Sequence, residues 1–354
     1  MSLPGLRIER VRESRLPDIE DLDSIAFSSI ISDHMLTAKY GDGVWQEALI
    51  GPYAPLSLPP NISALQYGIS VFEGLKAHRT PAGEVAIFRP LANARRLNRS
   101  AARLAMPPVP EELFMQGLRE LVKLDQAWVP RLNQGALYIR PCLFSIDPSV
   151  RVKPAEQCLF AIFTFPFGAY YSTPVDVLVS ERYVRAFPGG TGHVKPAGNY
   201  APALLAEREA RDAGFHTVLW LDGLNRAYVE ECGVMNVFFV IDDSIVTPAL
   251  GDTILPGVTR DCALTLLRDE GMSVIERPVS IEEIVAAYDR GALRECFGTG
   301  TAATLSHIRR IRYRGRDLDL PPVEERVIGS RLRERLVAIA TGRMADRHEW
   351  LEVV

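Results

Sequence analysis

Residues 190–200 read GTGHVKPAGNY, a single lysine set among three glycines, a proline and an alanine. Small residues at this density mean that backbone must come close to something. The chain has only five lysines, at positions 39, 76, 123, 153 and 195, and none follows Lys195. Arginine stays protonated, whereas lysine can become a neutral amine nucleophile. Amine chemistry therefore has few possible owners, and Lys195 is the one in a glycine-rich loop.

Two further stretches, LPGVTR (255–260) and FGTGTAA (297–303), place glycine and threonine just before an ordered run. Backbone N–H groups at a helix start, with threonine hydroxyls beside them, suit an oxyanion such as phosphate. Neither a G-x-x-x-x-G-K-[ST] loop nor a G-x-G-x-x-G strand exit occurs, which favours a phosphorylated cofactor over a nucleotide. Arg95, Arg96 and Arg99 share the stretch LANARRLNRSAARLA. Two of them are expected on a solvated face, and one turned inward could clamp a phosphate. In EECGVMN, period-2 alternation sends Glu230 and Glu231 to opposite faces. An interior carboxylate needs a partner, either a protonated cofactor ring nitrogen or a buried arginine. Tyr67, Tyr138, Tyr170, Tyr171 and Tyr200, with Phe27 and Phe72, are the excess aromatics. Most aromatics pack in cores, but Tyr170 and Tyr171 are candidates to line a site. A lysine, phosphate-binding turns, an interior acid and aromatic walls are together what pyridoxal 5′-phosphate requires. The plain alternative is a loop lysine in a turn.

The elements that must position these residues can be read from hydrophobic period. Residues 1–25 are polar and expected to form a poorly ordered arm. SDHMLTAKYGDGVWQEALI reads as two strands around a Gly-Asp-Gly turn. SALQYGISVFEGLKA has helical period, EVAIFRP is a strand, and LANARRLNRSAARLA and PEELFMQGLRELVKLDQAWV are helices. GALYIRPCLFSID and QCLFAIFTF are apolar strands. The first domain, 26–164, is thus α+β, and 165–174 has the Gly, Pro and aromatic content of a linker. In the second domain, 175–354, VDVLVSERYVRAFPGG leads as a strand into the lysine loop, and NYAPALLAEREARDAGF is a helix ended by Gly214. HTVLWLDG, AYVEECGVMNVFFVID and SIVTPAL read as consecutive strands, and LPGVTR opens a helix. CFGTGTAATLSHIRRI is a strand broken by a glycine turn, and ERVIGSRLRERLVAIATG closes the chain as a helix.

At 354 residues the chain exceeds the usual size of one core, so two domains are expected. A net charge of −4 argues against a nucleic-acid partner. No apolar run approaches the roughly 20 residues of a membrane helix, so no membrane partner is expected. Five cysteines, at 142, 158, 232, 262 and 296, form no C-x-x-C pair, which points to reduced thiols and a cytoplasmic setting. The six histidines are scattered, and no metal site is expected.

Taken in order, SDHM, LQYGISVFEGLKA, FRPLANARRLNRSAARLAMP, LYIRP, FGAYYS, GGTGHVKPAGNY, ECGVMNVFFV, LPGVTR and FGTGTAA resemble the branched-chain amino acid aminotransferases. These belong to the D-amino-acid-aminotransferase-like enzymes of fold type IV. The resemblance implies an α+β, two-domain pyridoxal phosphate enzyme, with a small N-terminal domain and a larger C-terminal domain built on a barrel-like sheet. It implies Lys195 as the Schiff-base lysine, Glu231 beside the pyridine nitrogen and Tyr200 on the phenolic oxygen. Arg96, Val258, Thr259 and Thr301 would hold the phosphate, and Leu255 would pack on the ring. Around the substrate it implies Phe27, Tyr67, Phe72, Tyr138, Tyr170 and Val234, with Arg140 supporting the tyrosines and the backbone at Thr301 and Ala302 meeting the carboxylate. Family members work as homodimers in which each pocket is completed by the other subunit.

The implied reaction moves an amino group between leucine, isoleucine or valine and 2-oxoglutarate, a step of branched-chain amino acid biosynthesis. A specialised biosynthetic aminotransferase acting on a non-proteinogenic or aromatic amino acid is the alternative. An aminodeoxychorismate-type lyase and a non-catalytic phosphate-binding protein are the others. Three features depart from the family's pattern. Pro196-Ala197 stand where a residue followed by glycine is common, Val234 stands where many members carry threonine, and the C-x-x-C pair of some animal members is absent. Proline removes an N–H and alanine disfavours positive φ, so a different loop conformation is expected at 196–197.

Overall fold

The computed structural model describes residues 5–17, 22, 25–168 and 173–354. The chain forms two compact units. The first comprises Met1–Ala169, Lys195–Gly198 and Ala338–Val354, and the second Tyr170–Val194 and Asn199–Val337. Lys195–Gly198 and Ala338–Val354 thus group with the first unit, although the sequence reading places both in the second domain.

The first unit is a ten-stranded sheet, antiparallel except where Leu6–Ile8 runs parallel to Ala48–Pro52. Its centre is the strand Cys158–Phe167, paired with His34–Gly41 on one side and Ala136–Ser145 on the other. That strand is buried along nearly its whole length, which is why it reads as an uninterrupted apolar run. Two helices, Pro90–Arg103 and Glu111–Leu124, contribute to the same core. Asn93, Ala94, Arg96, Leu97, Ser100 and Ala101 are buried on the first, at the three- and four-residue spacing of one helix face. On the second, Gly117 lies so close to the sheet that a Cβ there would stand 2.3 Å from Leu36 Cδ1.

The sequence reading needs correcting at three places in this unit. The stretch SALQYGISVFEGLKA is helical only over Ser63–Tyr67, where Gly68 ends the helix at φ +65°. The β-branched and aromatic residues that follow form the strands Ser70–Phe72 and Leu75–Arg79. The N-terminal arm is partly structured, since Val11, Ser14 and Arg15 hydrogen-bond to His34 and Asp33 beyond the strand Leu6–Ile8. The chain ends on a strand, Leu351–Val353, paired with Val85–Phe88, and not on the helix Ile328–Ala340.

In the second unit six strands close a barrel. Val229–Cys232, Thr217–Leu221, Val175–Val179, Thr304–Tyr313, Leu293–Gly300 and Met235–Ile241 pair in that order, and the last pairs again with the first. Both TVLWL and MNVFFVI are wholly buried, as strands covered on two faces must be. One expectation changes here. AYVEECGVMNVFFVID is a hairpin and not one strand, turning at Gly233 with φ +56° and at Val234. CFGTGTAATLSHIRRI is, as read, a strand broken by a turn, and the threonines of FGTGTAA lie on the hairpin from Leu293–Gly300 to Thr304–Tyr313. LPGVTR does open a helix, Val258–Asp269.

Candidate active site

The lysine loop is fixed by its backbone. Lys195 N–H donates to Ser100 Oγ at 2.9 Å, and Ser100 Oγ–H donates in turn to Arg96 O, one helical turn back, at 3.0 Å. Phe72 N–H donates to Lys195 O, and Pro196 forms an isolated bridge with Val71. In the second unit Asn199 closes the loop's base, its Nδ2 donating to Thr191 O and Val194 O and its Oδ1 accepting from Thr191 Oγ1. The density of small residues has a steric cause. A Cβ on Gly192 would stand 2.6 Å from Ala186 Cβ and from the backbone of Thr253. Among the described residues no positive φ occurs from 190 to 200, and Ala197–Asn199 form a 3-10 turn. Alanine at 197 fits that turn, and proline at 196 keeps its place with no N–H to satisfy.

The side chains of the first unit around this loop are aromatic and cationic. Lys195 Nζ lies 4.7 Å from the Phe72 ring centroid, and the Arg140 guanidinium lies 4.8 Å from the same ring and 5.5 Å from that of Tyr138. Phe27 packs edge-on against Tyr138, Phe165 and Phe167, and Tyr138 stacks on Phe165. The Tyr138 hydroxyl sits directly against Gly74, where a Cβ would be 2.0 Å away. Of the residues expected at a substrate wall, Phe27, Phe72, Tyr138 and Arg140 therefore cluster together. Tyr67 ends the helix Ser63–Tyr67, and its hydroxyl donates to Val150 O. Tyr170 lies outside the described residues.

Arg96 is buried, and its Nε and Nη2 each donate to Glu73 at 2.7 Å. Glu73 thus engages the edge of the guanidinium from which a bidentate clamp would be built. Arg95 and Arg99 are exposed on the solvated face.

In the second unit Tyr200, Glu231, Val234 and Leu255 line one pocket with Arg185 and Asn199. Glu230 and Glu231 are both buried, but only Glu231 lines that pocket. Two N–H groups orient its carboxylate, since Leu255 N–H donates to Oε1 at 2.7 Å and Arg185 Nη2 stands 3.2 Å from the same oxygen. An arginine partner is therefore present, although it is half-buried and not buried as considered. Burial pushes Glu230 up from the ordinary carboxylate value, against the opposing pull of Thr253 and Arg185. Val258 and Thr259 form the first turn of Val258–Asp269, which no side chain caps. Thr301 and Ala302 lie on the neighbouring hairpin turn, and Gly300 beside them packs on Val234 O and Met235. Glu73, Ser100, Arg185, Asn199 and Asn236 carried no sequence signal, because each is recognisable only by the partner it holds.

These residues fit pyridoxal 5′-phosphate by the chemistry of their donors. A fixed acid faces a pocket beside a tyrosine, a leucine adjoins it, and an uncapped helix start lies three residues farther on.

A sequence profile for amino-transferase class IV matches residues 70–311. The chain is 42% identical over 348 residues to branched-chain-amino-acid transaminase 1 of Bacillus subtilis (strain 168), spanning 97% of this chain and 98% of that protein. Its fold is similar to the branched-chain aminotransferase of Thermoproteus uzoniensis solved with norvaline. That match has a TM-score of 0.74 at 26% identity and covers 90% of this chain and 99% of that one. The branched-chain amino acid aminotransferase of Escherichia coli matches with a TM-score of 0.74 at 27% identity, covering 90% of this chain and 98% of that one.

Proposed function

The chain belongs to the class IV aminotransferases, among the branched-chain members, with their type IV fold; we propose that it transfers an amino group between leucine, isoleucine or valine and 2-oxoglutarate. The observation that carries this reading is Glu231, a buried carboxylate oriented by Leu255 N–H and Arg185 in a pocket it shares with Tyr200 and Val234.

Pyridoxal 5′-phosphate, when bound, supplies the aldehyde that takes up the amino group and the ring that spreads the negative charge. Lys195 would be the attachment point, and its Nζ would carry a proton between the substrate Cα and the cofactor carbon that takes up the amino group, in one direction in the first half of the reaction and in reverse in the second. Glu231 holds the proton on the ring nitrogen, Tyr200 hydrogen-bonds the phenolic oxygen, and Leu255 packs on the ring. Arg96, Val258, Thr259 and Thr301 hold the phosphate. Phe27, Tyr67, Phe72, Tyr138, Tyr170 and Val234 surround the substrate side chain. Arg140 fixes Tyr138, consistent with its place over that ring. The backbone of Thr301 and Ala302 receives the substrate carboxylate. An apolar wall backed by tyrosine hydroxyls and one arginine accounts for a site that accepts both a branched side chain and the γ-carboxylate of glutamate.

A homodimer and a cytoplasmic location complete the reading. The first is supported by exposed apolar side chains in the first unit, where Leu65, Val150 and Val152 are 69%, 66% and 83% exposed. The second is supported by five free thiols. A panel of amino donors against 2-oxoglutarate, read as glutamate formed, tests the reaction. Turnover of leucine, isoleucine or valine is expected. If all three are ignored while another donor reacts well, the specialised biosynthetic reading takes its place.

A further inference from the structure

Asn236 belongs to the strand Met235–Ile241, is 6% exposed, and is the register partner of Glu231 on one side and of Thr299 on the other. Side chains of directly opposed residues in an antiparallel sheet project from the same face, so Glu231, Asn236 and Thr299 stand in one row. Two members of that row grip a single residue from both ends. Glu231 Oε1 accepts from Leu255 N–H at 2.7 Å, and Asn236 Nδ2 donates to Leu255 O at 2.9 Å. The third, Thr299, is 1% exposed, and its hydroxyl has no hydrogen-bond partner among the described residues.

Two residues farther on, Gly257 precedes the helix Val258–Asp269 with φ −65° and ψ 132°, a conformation open to any residue. Space, and not conformation, requires glycine there. A Cβ on Gly257 would stand 2.1 Å from Asn236 Oδ1. The amide of Asn236 thus holds the turn at two points, by a hydrogen bond to Leu255 O and by close contact at Gly257. No side chain caps the helix that follows, so the direction of its first N–H groups depends on how this turn is held.

We propose that Asn236 is a positioning residue for the phosphate end of the site: it sets the 255–257 turn so that the start of Val258–Asp269 meets the cofactor phosphate while Glu231 faces the ring. This rests on the reading of the site given above. Asn236 does not touch the reacting atoms in this scheme. It locks the turn that receives the phosphate to the strand pair that carries the acid.

The test compares binding of pyridoxal 5′-phosphate and of pyridoxal, which lacks the phosphate, to the full-length protein stripped of cofactor. Asn236→Ala is expected to weaken pyridoxal 5′-phosphate by about tenfold or more and pyridoxal by less than about threefold, because only the phosphate contacts are misaligned. Gly257→Ala should give the same selective loss in the wild-type background. Placed in Asn236→Ala it should add less than about twofold, since the side chain its Cβ would meet is gone. Equal weakening of both ligands with a fallen melting temperature would mean that Asn236 merely packs the barrel, and fully additive losses would mean that the two residues do not act through one contact. Either result overturns the proposal. If the wild type itself shows no preference for the phosphorylated ligand, the reading of the site fails first.

Discussion

Lys195 has backbone anchors that do not depend on its side chain, so the side chain can be removed without dismantling the loop. The N–H to Ser100, the carbonyl to Phe72 and the bridge from Pro196 to Val71 all survive truncation. Lys195→Ala should therefore abolish amino transfer while leaving the melting temperature within a few degrees of wild type. Borohydride reduction of the loaded wild type should label the peptide containing Lys195. A label on Lys76, which lies over Phe167, or on Lys153, which is paired with Glu156, would defeat the assignment. Arg96 presents the opposite case, because its guanidinium is tied to buried Glu73. Arg96→Ala strands that carboxylate, a change that costs about 3–5 kcal/mol for a buried pair broken on one side. Loss of cofactor in this variant would be confounded with loss of fold. The double change Arg96→Leu with Glu73→Leu removes both charges and should recover most of the stability. If Arg96 also holds the phosphate, the double variant still releases cofactor more readily than wild type. If it recovers both stability and cofactor retention, Arg96 serves only as the partner of Glu73.

At the scale of elements, what could be read from the sequence was whatever repeats with a period or crowds a turn. The strands Ala136–Ser145 and Cys158–Phe167 and the helices Pro90–Arg103 and Glu111–Leu124 announce themselves by apolar period, and the Lys195 loop by its small residues. Where two elements abut without a polar break the pattern fails. SVF runs on from SALQY with helical spacing although Gly68 at φ +65° has already ended the helix. In VEECGVMNV a single glycine marks a complete hairpin reversal. The polar residues that hold the site in shape were illegible for another reason. Ser100 and Arg185 have meaning only beside a partner far away in sequence, such as the 95 residues separating Ser100 from Lys195. The hairpin at Gly233 tests how firmly these elements are fixed. Its φ of +56° disfavours a side chain, and a Cβ would stand 2.3 Å from Thr217 Oγ1. Gly233→Ala should destabilise the protein by about 1–3 kcal/mol and displace Glu231, the second residue before the turn. Adding Thr217→Ala should recover only part of the loss, because it relieves the contact and not the backbone strain. Complete recovery would show that the positive φ costs nothing.

For the molecule as a whole, the groups that take up protons on unfolding tie stability to pH, and His307 is one of these. It is 8% exposed on the strand Thr304–Tyr313, and its Nδ1 has no hydrogen-bond partner among the described residues. Gly329 packs against it so closely that a Cβ there would lie 2.8 Å from His307 Cε1. Burial first, and then the positive charges of Arg326 and Arg333, bring its pKa down to about 4 from an ordinary 6.5. The folded protein therefore keeps this ring neutral at pH values where the unfolded chain has already protonated it. Between those two pKa values the unfolded state binds the extra proton, so stability falls as pH falls from about 6.5 to about 4 and levels off below. A single group of this kind changes the unfolding free energy by about 1.4 kcal/mol per pH unit within the window. The carboxylates of Asp33 and Asp176 respond elsewhere. Burial raises them, but Ser14 and Arg15 at the first and Arg309 and Arg310 at the second hold both below the ordinary 3.8. Their contribution is present above that value and is lost only as pH falls through the lowered pKa. Above pH 4, His78, brought down to about 3 by burial and by Lys76, acts in the same sense as His307, and the raised carboxyls of Asp125, Glu207 and Glu230 act in the opposite sense, so only comparison with a variant separates His307. Melting temperatures measured from pH 7 to pH 4.5 should fall more steeply for wild type than for His307→Gln, which cannot titrate. Parallel curves for the two proteins would show that His307 is protonated alike in the folded and unfolded states, and the acid sensitivity would then belong to another group.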